Sequence, residues 1–158
     1  MINKFRIRRC MFLMIALLWA SPSIASTDIA IEHAWTPQGP MTMTMHAGYF
    51  MLTNHTADTL ELISVSSDHY GQIEIHKADM IDGLSSMRKL NKLAVLSHEK
   101  VVFSPGGLHL MMRDPLKRLQ LGDTFIVRLE VESDIIKEFT MHVAQRHMQP
   151  ATSHHGHP

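Results

Sequence analysis

Two imidazoles and two thioethers stand at a spacing that could build a metal site: His76, Met87, His109 and Met111, in the pattern H-x10-M-x21-H-x-M. The last pair closes the run Gly106-Gly107-Leu108-His109-Leu110-Met111. Thioether sulfur is soft and selects Cu(I), and imidazole also suits copper. All four donors are neutral when they bind, so the site would carry only the charge of the ion. That favours a monovalent ion over Zn(II) or Cu(II), which ask for more compensating charge. Residues two apart in a strand face the same way, so His109 and Met111 can present a nitrogen and a sulfur from one strand. Taken singly, each residue has a plainer reading, a surface histidine or a core-filling methionine. It is the joint spacing that points to a metal.

Strands must position these groups. Ala47–Thr53, Leu60–Val65, Gln72–His76, Thr124–Val131 and Phe139–Val143 show the short alternation or β-rich composition of half-buried strands. Turn clusters separate them: Asn54-His55-Thr56, Ser66-Ser67-Asp68, Asp82-Gly83, Ser104-Pro105-Gly106-Gly107 and Gly122-Asp123. On this reading His76 ends its strand, Met87 follows the Asp82-Gly83 turn, and Asp114-Pro115-Leu116-Lys117 is a loop crossing between sheets. The expected fold is all-β, a single-domain Greek-key barrel or sandwich. Trp35 is expected in the core. Thr36–Met45 reads as a methionine-rich loop.

The ends bear on where the chain works. Lys4, Arg6, Arg8 and Arg9 precede an apolar run, Met11–Ala20, and Ser23-Ile24-Ala25 supplies the small residues of a cleavage site. Residues 1–25 thus read as a cleaved signal peptide, with no stable membrane anchor afterwards and a periplasmic destination. Residues 26–148 are then the folded β domain and 149–158 a disordered His-rich tail. The sole cysteine, Cys10, falls inside the signal. Without it, thiol–disulfide chemistry, a cysteine nucleophile and a blue-copper centre are all excluded. Cleavage would leave 11 Lys+Arg against 15 Asp+Glu, a formal −4 with no basic face for nucleic acid. No nucleophile-elbow or zinc-protease spacing is present, and nothing demands catalysis.

The chain resembles the periplasmic PCuAC-type copper chaperone family, whose signature is this same H-x10-M-x21-H-x-M. Supporting matches are Ala34-Trp35, Ala47-Gly48-Tyr49 with Asn54, Asp82-Gly83 with Met87-Arg88, Pro105–Met111, Pro115-Leu116-Lys117 and Leu121-Gly122-Asp123. The resemblance runs over residues 29–145. It implies a cupredoxin-like β-barrel with a solvent-near Cu(I) site made by His76, Met87, His109 and Met111. It also implies delivery of Cu(I) towards the dinuclear copper site of cytochrome c oxidase subunit II, alongside a thiol-containing copper assembly factor. Two departures stand out. Arg113 occupies a place where family members often carry a further methionine, and Asp114-Pro115 replaces a commonly apolar segment.

Two satellite groups carry further soft or imidazole donors. Met41-Thr42-Met43-Thr44-Met45-His46 would present methionines on one face if extended, as an auxiliary copper-capturing loop or as a flexible lead into the next strand. His147, Met148, His154, His155 and His157 could form an auxiliary Cu(II) site, since short His-rich tracts bind divalent metals. The rival to a chaperone is a copper-sequestering or resistance protein that keeps the same ligands and delivers to no specific acceptor.

Overall fold

Alternation of apolar and polar residues builds most of this chain into one curled sheet. A computed structural model describes residues 29–40, 42–81, 84–132 and 135–145. The proposed signal peptide, the Asp82-Gly83 turn and the His-rich tail lie outside the described residues. Ten strands run in chain order: β1 (Ile29–Pro37), β2 (Met45–Asn54), β3 (Leu60–Ser66), β4 (Tyr70–Ile81), β5 (Leu84–Leu90), β6 (Leu93–Val95), β7 (Lys100–Phe103), β8 (Leu108–Pro115), β9 (Thr124–Val131) and β10 (Ile135–Ala144). They pair in the order β5-β4-β8-β7-β2-β1-β10-β9-β3-β6, with β8 also laddered to β2. The sheet rolls until β3 packs beside β4, giving a nearly closed barrel.

The inward face is apolar. Phe125, Val127, Leu129 and Val131 of β9 alternate with more exposed positions, and Phe139, Met141 and Val143 do the same on β10. Leu110 and Met112 of β8 point the same way and are fully buried. Phe50 stacks on Phe103 with centroids 4.1 Å apart, joining β2 to β7 at the centre of the core.

Three expectations need correction. First, Asp114-Pro115 is no crossover between sheets. β8 continues through it, Pro115 pairs with Tyr70, and the Leu116 N–H donates to the His69 carbonyl. A proline is tolerated there because it stands at the strand's end, while Asp114 takes a positive φ of 54° that bends the chain out. Second, His76 does not end its strand: β4 runs five residues further, to Ile81, with β5 laddered along it. Third, Trp35 is only half-buried, tilted against Tyr49 at 5.0 Å. A bulge between Glu32 and Trp35, with His33 at φ 53°, turns Ala34 inward and leaves Trp35 on the outer side.

Asn54 at the end of β2 is fully buried and closes the β2–β3 connection. Its amide nitrogen donates to the carbonyls of Asp58 (2.8 Å) and Leu96 (2.9 Å), and its Oδ1 accepts from the Thr56 N–H and hydroxyl. Replacing it by alanine strands several buried polar groups. Asn54→Ala should lower unfolding free energy by about 3 kcal/mol, read as a shift in urea midpoint. A change below about 0.5 kcal/mol would mean the loop is held by other contacts.

Candidate metal centre

The outer faces of β5, β4 and β8 carry the four sequence-selected residues. Directly opposed residues in a ladder share a face, so the register places them. His76 lies opposite His109 on one side and Lys89 on the other; Met87 lies opposite Ala78; Met111 lies between Glu74 and Ala47. The rings of His76 and His109 are 5.9 Å apart between centroids. Met87, His109 and Met111 line a common cleft of about 620 Å³. His76 is not on its wall but sits beside His109, and both imidazoles are buried.

The plainer readings fit poorly here. Met87 is 52% exposed on a polar edge strand, so it fills no core. His76, only 8% exposed, is no surface histidine. Among the described residues no three His, Cys, Asp or Glu side chains converge for a metal. The sulfurs of Met87 and Met111 are the further donors that line this cleft beside His109.

Each imidazole has one nitrogen engaged by an acceptor. His109 Nδ1 donates to the Gly107 carbonyl at 3.0 Å, because a carbonyl can only accept. That leaves the lone pair on Nε2. The same carbonyl accepts the Ala78 N–H at 3.1 Å, so the turn orients the ring and ties it to β4. Pro105 and Gly106 occupy the middle of this turn, closed by the Gly107 N–H to the Ser104 carbonyl, and Gly106 has the φ of +79° that the third position of a type II turn requires.

His76 shows the opposite tautomer. Its Nε2 lies 2.9 Å from Glu74 Oε2. Glu74 is buried yet held ionised: the Lys89 ammonium, then the His76 and Arg113 hydrogen bonds, bring its carboxyl down to about 2 against the desolvation that would raise it. An ionised carboxylate only accepts, so Nε2 carries the proton and Nδ1 the lone pair. His76 Nδ1 is buried and has no hydrogen-bond partner among the described residues. A buried nitrogen without a partner is costly, and a metal would satisfy it. Carboxylate and carbonyl acceptors behind metal-binding imidazoles are the expected supporting shell.

Glu74, Lys89 and Arg113 were not singled out from sequence as a supporting group. Lys89 Nζ donates to Glu74 Oε1 at 2.7 Å, Gln72 adds a bond at 2.9 Å to the same oxygen, and Arg113 bonds Oε2. The one hint in the sequence was Arg113, noted as a departure. Met43, Met45 and His46 also line the cleft, whereas Met41 and the tail residues His147, Met148, His154, His155 and His157 lie outside the described residues. Two buried imidazole lone pairs and two accessible thioethers thus share one face, a set of neutral donors suited to a soft monovalent cation.

Over residues 29–143 the sequence matches the family described as "Putative lipoprotein LpqE-like". The chain belongs to this LpqE-like family. A relative in sequence, the uncharacterized protein RP573 of Rickettsia prowazekii (strain Madrid E), is 33% identical over 99 residues, 62% of this chain and 55% of that protein. The chain thus spans about half the length of that curated relative. Among solved structures, the apo PCuAC domain of PmoF2 superposes with a TM-score of 0.63 at 21% identity, over 75% of this chain and 90% of that one. The Cu(I) form of DR1885 from Deinococcus radiodurans gives 0.58 at 15% identity, over 80% and 83%. This LpqE-like chain therefore has the cupredoxin-like fold of PCuAC domains, as the resemblance in its sequence implied.

The supporting shell gives two expectations. Glu74→Gln should weaken binding of a soft metal by about 10- to 100-fold, measured by competition with a chromophoric chelator. Unchanged affinity would remove Glu74 from the site. The same carboxyl has a pKa lowered on folding, so its stabilisation is full above the ordinary carboxylate range and is lost as pH falls towards about 2. Between pH 5 and 2 the wild-type melting temperature should therefore fall more steeply than that of Glu74→Gln; parallel curves would contradict it.

Proposed function

We propose that this protein is an extracytoplasmic Cu(I)-binding metallochaperone, a carrier and not an enzyme. The observation that carries the reading is the buried Nδ1 of His76, without a partner among the described residues, beside the ring of His109 on the face that also holds Met87 and Met111. Two of the similar structures agree with it: one is a copper-bound PCuAC domain from PmoF2 and another is CuI-DR1885.

Transfer follows from the asymmetry of the donors. The imidazoles are oriented from behind and buried, so they define the site before metal arrives. Met87 is exposed on the edge strand β5, where an incoming ligand can replace its sulfur first. Thioethers carry no proton, so this exchange needs no acid or base. Stepwise replacement by a partner's ligands would hand the ion on without changing its charge. The acceptor we favour is the dinuclear copper site of cytochrome c oxidase subunit II, with a thiol-containing assembly factor as the other candidate partner. Sequestration without delivery is a second reading, favoured by the extra methionines on the same cleft.

A Cu(I) competition titration under strict reductant should find one tight equivalent that weakens by on the order of 100-fold or more in Met87→Leu/Met111→Leu, since even supporting-shell changes cost up to that much. Equal binding by the two proteins would sink the four-residue site. Mixing the loaded protein with the apo copper-binding domain of oxidase subunit II then separates the readings: copper appears in the acceptor for a chaperone and stays put for a buffer.

A further inference from the structure

The connection from β1 to β2 returns over the cleft and brings its own donors. Met43 and Met45 are 46% and 44% exposed, although large apolar side chains gain nothing from water. Both line the cleft with Met87, His109 and Met111, as does His46. Gly39 explains how they come together. A Cβ placed on Gly39 would lie 2.9 Å from Met43 Sδ and 3.0 Å from His46 Nε2. The sulfur and the nitrogen therefore both pack against the bare Cα of Gly39, and a side chain there would push them away.

His46 is prepared for ligation. Its Nδ1 is 3.1 Å from the Tyr70 hydroxyl, and the two rings meet edge to face. A phenol oxygen accepts as well as donates, so the contact admits the Nδ1–H tautomer, which leaves the lone pair on Nε2. Met45 stands opposite Arg113 on the same outer face as Met111, two ladder positions from the Ala47–Met111 pair.

We propose that Met43 and His46, with Met45 beside them, form a second soft-metal position on the β1–β2 side of the cleft, separate from His76, Met87, His109 and Met111. Its ligand class is a monovalent soft cation, Cu(I) or its redox-silent analogue Ag(I). The position rests on the Cu(I)-carrier reading for its role: an ion leaving Met87 or Met111 is taken by Met43 before it departs, one metal–sulfur bond forming as another breaks with no change of oxidation state. The cleft then holds either two ions or one ion in passage between two donor sets.

Ag(I) titration of the protein labelled with [ε-13C]methionine tests this residue by residue, with each methyl signal assigned by a Met→Leu variant. In Met87→Leu/Met111→Leu, the Met43 methyl and the His46 ring signals should still shift saturably with added Ag(I). In the unaltered protein they should respond with the second equivalent, after Met87 and Met111. If Met87 and Met111 respond while Met43, Met45 and His46 stay unmoved through two equivalents, this inference fails and the carrier reading stands. Should Met43 respond only with the first equivalent, and not at all in Met87→Leu/Met111→Leu, the donors form one site and the second position is overturned. Should Met43 and His46 respond while Met87 and Met111 do not, the second position stands and the four-residue site fails.

Discussion

A single buried carboxylate organises the face on which everything else depends. Glu74 stands on β4, accepts from Lys89 on β5 and Arg113 on β8, and holds His76 two residues along its own strand. Those three strands are also the ones that carry Met87, His109 and Met111. Burying an anion is unfavourable unless its lone pairs are satisfied, and here four side chains, with Gln72 the fourth, point at its two oxygens. The arrangement locks strand register where a one-residue slip would turn every donor to the wrong side. It also decides which nitrogen of His76 is free.

The barrel supplies the opposite requirement. Leu110 and Met112 anchor β8 in the core while His109 and Met111 face out, so the same strand is fastened by its apolar residues and functional through the alternate ones. The Gly106-Gly107 turn orients one imidazole with a backbone carbonyl, and the Glu74 group orients the other with a carboxylate. Oriented imidazoles, a half-buried Met111 and an exposed Met87 make a site that is organised on one side and exchangeable on the other. That combination suits a carrier better than a store.

Much of this was legible in the sequence. Strands β9 and β10 announce themselves because they alternate, and His109 and Met111 fall on one face by the period of two alone. The missing parts have physical reasons. β5 reads Leu-Ser-Ser-Met-Arg-Lys-Leu, an edge strand in which no regular alternation of apolar and polar residues runs through. β1 is interrupted by its bulge, and Asp114-Pro115 imitates a loop although β8 runs through it. Glu74 sits in Gln-Ile-Glu-Ile-His as if it were one more solvent-facing polar residue. Only the neighbouring strands, which bring Lys89 and Arg113 over it, bury it. Arg113 stood out only as a departure from the family pattern, and in the structure it braces Glu74 behind His76. Gly39 carries no sequence signal of its importance, because it matters through what lies opposite.

Copper K-edge X-ray absorption on the Cu(I)-loaded Met43→Leu/Met45→Leu protein most directly tests whether the two imidazoles and two thioethers on the β5-β4-β8 face form one metal site. The account requires a mixed shell in that protein, imidazole nitrogen from His76 and His109 with thioether sulfur from Met87 and Met111. A shell of nitrogen and oxygen with no sulfur would contradict it.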